Sequence, residues 1–208
     1  MFITLEGGEA VGKSTLQKRL ASFLGQRSIP VVETREPGGT KGAEAIRELV
    51  LSLTAAEDGW SPLAQTLLFC AARTDHLEKV IRPALARGDW VICDRFIDST
   101  YAYQVAGGGL DVSIVSMLND LTTGENRPDL TFVLDLDWDT ASARMAGRRE
   151  SQDAFEAMAP DFHARVREAF LTIARNNPER CCVLDAQLPP DALLEAALAE
   201  IWGRAGWT

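Results

Sequence analysis

The feature that most constrains this chain is the run Gly7-Gly8-Glu9-Ala10-Val11-Gly12-Lys13-Ser14, set between an apolar stretch and a helical pattern. The spacing GxxxxGK[ST] requires two glycines, a lysine and a hydroxyl at fixed positions. Ordinary residue frequencies produce it by chance in roughly one chain in a hundred of this size. The context here is the informative one, because Phe2–Glu6 reads as a buried strand and a helix is expected over 14–26. A strand that turns through glycines into a helix leaves backbone N–H groups converging at the helix N-terminus, where the dipole is positive. That arrangement suits phosphate. Lys13 would neutralise the β- and γ-oxygens of a nucleoside triphosphate, the Ser14 hydroxyl would hold Mg²⁺, and Thr15 continues the same turn.

Further apolar runs at 30–34, 89–93, 130–136 and 181–184 alternate with helical patterns at 43–52, 62–86, 111–121, 140–147, 155–176 and 190–204. Pro83 is expected to disturb the end of the helix over 62–86. Strands alternating with helices imply right-handed crossovers, so the expected class is α/β, a five-stranded parallel sheet with helices on both faces. With 208 residues, 46% of them hydrophobic, the chain suffices for one sizeable domain, 1–208, and is too short for two. It shows no internal repeat, low-complexity tract or linker.

Composition narrows the partners. A net charge of -9 argues against general nucleic-acid affinity, which calls for a basic face. No apolar run reaches the length of a membrane span, and the N-terminus lacks the pattern of a signal peptide. Cys70, Cys93, Cys181 and Cys182 form no CxxC pair and have no histidines at zinc spacing, so buried reduced thiols in a cytoplasmic protein are expected. Strand alternation would put Cys181 and Cys182 on opposite faces. Lysine occurs only at 13, 18, 41 and 79, leaving 17 arginines among the 21 basic residues. Arginine suits bidentate phosphate contacts.

A second constellation follows Trp90-Val91-Ile92-Cys93, an apolar strand ending in Asp94 and then Arg95. Residues at the carboxyl ends of parallel strands line the ligand crevice. Asp94 would enter the Mg²⁺ shell or position an attacking oxygen, and Arg95 would neutralise phosphate charge. Leu134-Asp135 has the same form, so the pattern admits either acid; the neighbouring Arg95 favours Asp94. The phosphate loop alone does not separate kinases from GTPases, motor ATPases or transporters. The guanine-reading NKxD segment is missing from the sequence, and a small chain with arginines spread among its loops points to a kinase of small phosphorylated acceptors.

Several segments together resemble the thymidylate kinase family. They are the stretch from Phe2 to Thr15, Thr34-Arg35-Glu36-Pro37-Gly38-Gly39, Leu67-Leu68-Phe69-Cys70-Ala71-Ala72-Arg73, Asp94-Arg95-Phe96-Ile97-Asp98-Ser99-Thr100-Tyr101-Ala102-Tyr103-Gln104, and Arg127-Pro128-Asp129-Leu130-Thr131. The Arg-Glu-Pro-Gly-Gly and Asp-Arg…Ala-Tyr-Gln segments are much more specific than the phosphate loop. The resemblance implies a P-loop NTPase fold of the nucleoside monophosphate kinase kind and transfer of the ATP γ-phosphoryl to the 5′-phosphate of dTMP, with Mg²⁺. It also implies a homodimer packed through long helices, for which the apolar stretch 63–68 is the candidate surface.

Carried over by residue, the resemblance implies that Phe69 stacks on the thymine ring and Arg73 donates to a thymine carbonyl. Thr100 and Gln104 would read the remaining base edge, and Tyr103 would pack against the deoxyribose. Glu9 would contact the acceptor sugar, Glu36 belongs to the same acceptor set, and Arg47 and Arg95 would hold the acceptor phosphate. The phosphate loop carries no arginine at Glu9, Ala10 or Val11, as in the bacterial type that supplies its catalytic arginine from a lid, here about 144–156. That points to Arg148 or Arg149, without choosing between them. The usual Asp-Arg-x-Glu that follows is altered to Asp153-Ala154-Phe155-Glu156. Arg144 would pack on adenine, beside the loop Asp185-Ala186-Gln187. Two rivals remain: a deoxynucleoside kinase, whose hydroxyl acceptor needs a general base, and a nucleotide-dependent ATPase switch without a small acceptor.

Overall fold

A computed structural model describes residues 1–52, 59–147 and 154–205. Five strands form one parallel sheet: β1 (Phe2–Glu6), β2 (Val31–Arg35), β3 (Trp90–Asp94), β4 (Leu130–Asp135) and β5 (Cys181–Asp185), in the order β2-β3-β1-β4-β5. β1 lies at the centre, with Leu5 beside Asp94 of β3 and beside Phe132 of β4. The chain therefore leaves β1 where the strand order reverses, which in open α/β sheets is where ligands bind. Every residue of β1 is buried, as its Phe-Ile-Thr-Leu-Glu run requires of a strand covered on both faces.

Alternation along the strands divides the core. Ile3, Leu5, Phe132 and Leu134 face Leu16, Leu20 and Leu24 of α1 (Lys13–Gly25) and Leu193, Ala197 and Ile201 of α9 (Pro190–Ala205). On the opposite face, Phe2, Val91 and Cys93 meet Leu77 and Ile81. Val133 and Cys181 meet Phe162, Val166 and Phe170 of α8 (Pro160–Asn176). Cys181 is buried and Cys182 half-buried, in keeping with alternation, and the four thiols are free.

The helix expected over 62–86 is continuous but not uniform. It runs as α3 (Pro62–His76), a wide π-helical stretch over Leu77–Ile81, and α4 (Arg82–Ala86). The Arg82 N–H reaches back to the Leu77 carbonyl, five residues earlier. Pro83, which has no N–H to give, is accommodated just after that wider turn rather than breaking the helix. The helix expected to begin at 155 instead begins at Pro160, placed in the first turn of α8, where a missing N–H costs nothing.

One helical segment falls where none was expected. α5 (Ile97–Thr100) continues as a π-helical stretch, Tyr101–Gly107. It packs against α8, α3 and α6 (Val112–Thr123), so it has no broad solvent face and its sequence lacks the one-sided apolar pattern that marks a surface helix. The remaining helices are α2 (Lys41–Leu51) and α7 (Trp138–Ala146).

Candidate active site

Thr40, Ser61, Asp111 and Asp137 each accept an N–H from their own helix and so cap α2, α3, α6 and α7. α1 is preceded instead by Gly12, at φ 96, which has no side chain with which to cap it. Its first N–H groups, at the positive end of the helix dipole, therefore have no side-chain cap. Gly7, at φ 130, is obligatory: a Cβ there would lie 2.4 Å from the Leu134 carbonyl oxygen of β4.

Lys13 folds over this loop, its ammonium donating to the carbonyls of Gly8 at 2.6 Å and Gly7 at 3.3 Å. Burial, and then Arg95, push its pKa down to about 8, against the pull of Asp94 and Glu9. The Ser14 hydroxyl donates to Asp94 Oδ2 at 2.9 Å across the sheet. Asp94 Oδ1 is buried with no hydrogen-bond partner. The alternative acid, Asp135, is taken by Arg167, whose Nε and Nη2 donate at 2.6 and 2.9 Å. Both strand-end carboxylates border the phosphate loop, and Asp94 is the one that its Ser14 hydroxyl bonds.

Arg95 sits at φ 67, a left-handed conformation unusual outside glycine. From there its guanidinium donates to Gly7 O at 2.8 Å, to Gly8 O at 3.3 Å and to Glu9 Oε1 at 2.7 Å, and lies 5.0 Å from the Tyr103 ring centroid. The Tyr103 hydroxyl donates to the same Glu9 oxygen at 2.6 Å. Burial would raise the Glu9 pKa, but Arg95 and Lys13 hold it down at about 2. Glu9 is therefore a fixed anion that organises two neighbours.

A second knot lies deeper. Arg73, 2% exposed, donates through Nε to Glu36 Oε2 at 2.7 Å, through Nη1 to Asn119 Oδ1 at 2.8 Å and through Nη2 to Thr100 Oγ1 at 2.9 Å. Three of its five N–H groups are thus used, leaving two for another acceptor. Glu36 also meets His76 Nδ1 at 3.1 Å, while His76 Nε2 meets Thr34 Oγ1 at 2.6 Å. Arg47 donates to the Pro37 carbonyl at 3.1 Å.

These groups line three adjoining hollows. One, of about 620 Å³, is lined by Phe69, Arg73, Thr100, Tyr103 and Gln104 together with Glu9, Glu36, Arg47 and Arg95. A polar hollow of about 1030 Å³ shares those last four and adds Lys13, Ser14, Thr15, Arg35 and Asp94. A third, of about 690 Å³, shares Ala10, Val11, Gly12 and Thr15 with the second and extends past Arg144, Ala186 and Leu188. Arg144 donates to the Ala186 carbonyl at 3.1 Å.

The structure thus brings the sequence-predicted residues in the described part together along these hollows, except Gly7 and Gly8, which line a neighbouring hollow with Val11 and Asp135. Arg148 and Arg149 lie outside the described residues, as does part of the expected lid. Sequence reasoning missed Phe155, which enters the first hollow 6.3 Å from the Phe69 ring, and Glu156, which borders the second. It also missed Asn119, His76 and Gln17, the last of which pins β2 and β3 by donating to Thr34 O and Ile92 O at 2.7 and 2.8 Å. Only their pairing with distant residues marks them.

Comparison with known proteins follows the same line. The family model described as thymidylate kinase matches residues 5–197. The thymidylate kinase of Caulobacter vibrioides is 48% identical over 200 residues, which cover 96% of this chain and 94% of that protein. That of Methylococcus capsulatus is 49% identical over 198 residues, 95% and 92% of the two chains. The crystal structure of thymidylate kinase from Ehrlichia chaffeensis superposes with a TM-score of 0.78 at 36% identity, covering 97% of this chain and 98% of that one.

Proposed function

The chain belongs to the thymidylate kinase family, and from that premise we propose how its residues divide the transfer of the ATP γ-phosphoryl to dTMP, which yields dTDP and ADP for dTTP synthesis. The observation that carries the reading is the run of three hollows along the phosphate loop, the first and second sharing Glu9 and Arg95 and the second and third sharing Ala10, Val11, Gly12 and Thr15. Adenine occupies the end near Arg144 and Ala186, with the triphosphate laid across residues 7–15. The thymine lies against Phe69, within reach of the two unused Arg73 N–H groups, Thr100 and Gln104. A flat apolar wall plus a planar donor suits a pyrimidine carbonyl.

The sugar of dTMP packs on Tyr103 beside Glu9, and its phosphate is held by Arg47 and Arg95. Lys13, Arg95 and a lid arginine, Arg148 or Arg149, offset the negative charge where the two phosphates meet. Catalysis here is positioning and charge neutralisation. The acceptor phosphate is already a nucleophile at neutral pH, so no strong general base is required. Glu9, held anionic, and Glu36, bound by Arg73, have structural partners that fit this absence.

Mg²⁺ fits the pair Ser14 and Asp94, because a buried carboxylate oxygen without a donor suits a hard cation. Bound there, Mg²⁺ would supply positive charge to offset that of the phosphates.

A homodimer accords with exposed apolar side chains on two packed helices, Leu63 and Leu67 of α3 and Met117 and Leu121 of α6. Free thiols accord with a reducing, cytoplasmic setting. Among the described residues no helix is long and apolar enough to cross a membrane.

A coupled assay of ADP release with dTMP, dUMP, dCMP and thymidine as acceptors tests the reading. Turnover with dTMP is expected. Equal turnover with thymidine would replace it with a nucleoside kinase, and ADP release without any acceptor with an ATPase.

A further inference from the structure

Glu6 ends β1 fully buried, and the transfer chemistry set out above makes no use of it. A buried carboxylate in an apolar strand is costly unless its hydrogen bonds are all made. Glu6 makes them to one short segment. Its Oε1 accepts the backbone N–H of Phe96 at 2.8 Å and that of Ser99 at 3.3 Å, and its Oε2 accepts the Ser99 hydroxyl at 2.6 Å.

Both partners touch Arg95. Phe96 is the next residue in the chain, so its fixed N–H bounds the left-handed turn that Arg95 must adopt. Ser99 Oγ, held by Glu6, in turn accepts from Arg95 Nη1 at 3.2 Å. The Arg95 N–H donates to Leu5 O at 2.9 Å, one residue before Glu6. The end of β1 therefore grips Arg95 through its own N–H, the N–H that follows it and a hydroxyl on its guanidinium. Behind Glu6, Asp98 is held by Arg180 through donors at 2.7 and 2.8 Å. Burial and Asp98 push the Glu6 carboxyl above the usual carboxylate range, while Ser99, Arg95 and the Phe96 N–H pull it down.

We propose that Glu6 is a positioning residue for phosphoryl transfer: through Phe96 and Ser99 it holds the Arg95 turn and aims the guanidinium at the junction of acceptor phosphate and phosphate loop. This rests on Arg95 being the acceptor-phosphate residue. A part played only in packing would lower stability and the active fraction alike for both substrates. Positioning acts on the acceptor side and only while Arg95 is present.

Steady-state kinetics with dTMP and ATP varied separately decide the matter, using Glu6→Gln, Ser99→Ala, Ser99→Thr, Arg95→Ala and the double variant Ser99→Ala/Arg95→Ala. The carboxamide of Glu6→Gln keeps an acceptor for the two N–H groups but turns the Ser99 hydroxyl round. Glu6→Gln and Ser99→Ala are expected to raise the KM for dTMP about tenfold and to move that for ATP less than about twofold. Ser99→Thr, which keeps the hydroxyl, restores the dTMP value. In the Arg95→Ala background Ser99→Ala adds nothing further, the non-additivity of residues acting as one unit.

Equal rises for dTMP and ATP, or a Ser99→Ala effect undiminished without Arg95, would overturn the inference. Should Glu6→Gln fail to fold, the Ser99 series carries the same decision. A loss in Arg95→Ala beside unaltered Glu6→Gln and Ser99→Ala overturns the role of Glu6 alone. An unaltered dTMP KM in Arg95→Ala overturns the reading of Arg95 and the inference with it.

Discussion

The Ser14 hydroxyl donates to Asp94 Oδ2 at 2.9 Å, joining the first turn of α1 to the end of β3, while Asp94 Oδ1 is buried without a hydrogen-bond partner. One oxygen is thus oriented by a residue of the phosphate loop, and the other is left for a cation. Asp94→Asn preserves the shape and removes the charge. It is expected to lower kcat, and to raise the Mg²⁺ concentration needed for half-maximal rate, by about ten- to a hundredfold. A Mg²⁺ titration at saturating ATP and dTMP checks this; an unmoved midpoint would place the ion elsewhere.

Lys13 leads to a pH dependence. Burial, and then Arg95, lower its pKa to about 8 in the free protein, whereas an unfolded lysine keeps its proton to about 10.4. The free protein therefore loses the Lys13 proton as pH rises through about 8, and folding itself gains stability between these two values. A bound triphosphate needs the ammonium and raises its pKa. ATP affinity is expected to weaken about tenfold between pH 7 and pH 9, measured by calorimetric titration. A flat profile would contradict the depressed pKa. Lys13→Ala, lacking the charge altogether, is expected to abolish turnover.

The buried pair Arg73–Glu36 makes a stability prediction. Arg73→Ala leaves the Glu36 carboxylate without its main partner in a site where Glu36 is 5% exposed. The cost is expected to be about 3–5 kcal/mol, or about 10 °C in Tm for a chain of this size. Removing both charges in Arg73→Ala/Glu36→Ala should cost much less than the two single changes summed, because no orphaned charge remains. Denaturant unfolding of the four proteins tests it, and simple additivity would refute the coupling.

The sheet and the phosphate loop were legible because their signals are local: apolar runs such as Val91-Ile92-Cys93, and glycines at fixed spacing in 7–12. The segment 97–107 was not, since a helix enclosed by α3, α6 and α8 needs no polar face and shows no helical period. The base-side residues were read only through resemblance; Phe69 or Gln104 alone looks like any core or surface side chain. Glu6 escaped for a different reason. The strand 2–6 reads as buried, but nothing along the chain tells what a buried glutamate at its end would bond, because its partners Phe96 and Ser99 lie some ninety residues away. Asn119 and His76 are likewise defined by Arg73, Glu36 and Thr34, which no spacing along the chain relates to them.

The account turns on the acceptor lying with its base toward Arg73 and its phosphate toward Arg95. Titrating dTMP and thymidine separately into the wild-type protein and into Arg95→Ala tests that orientation most directly. The account predicts that Arg95→Ala binds dTMP about a hundredfold more weakly, while thymidine, which has no phosphate to lose, binds within about twofold of wild type. Equal weakening of both ligands, or of neither, would contradict it.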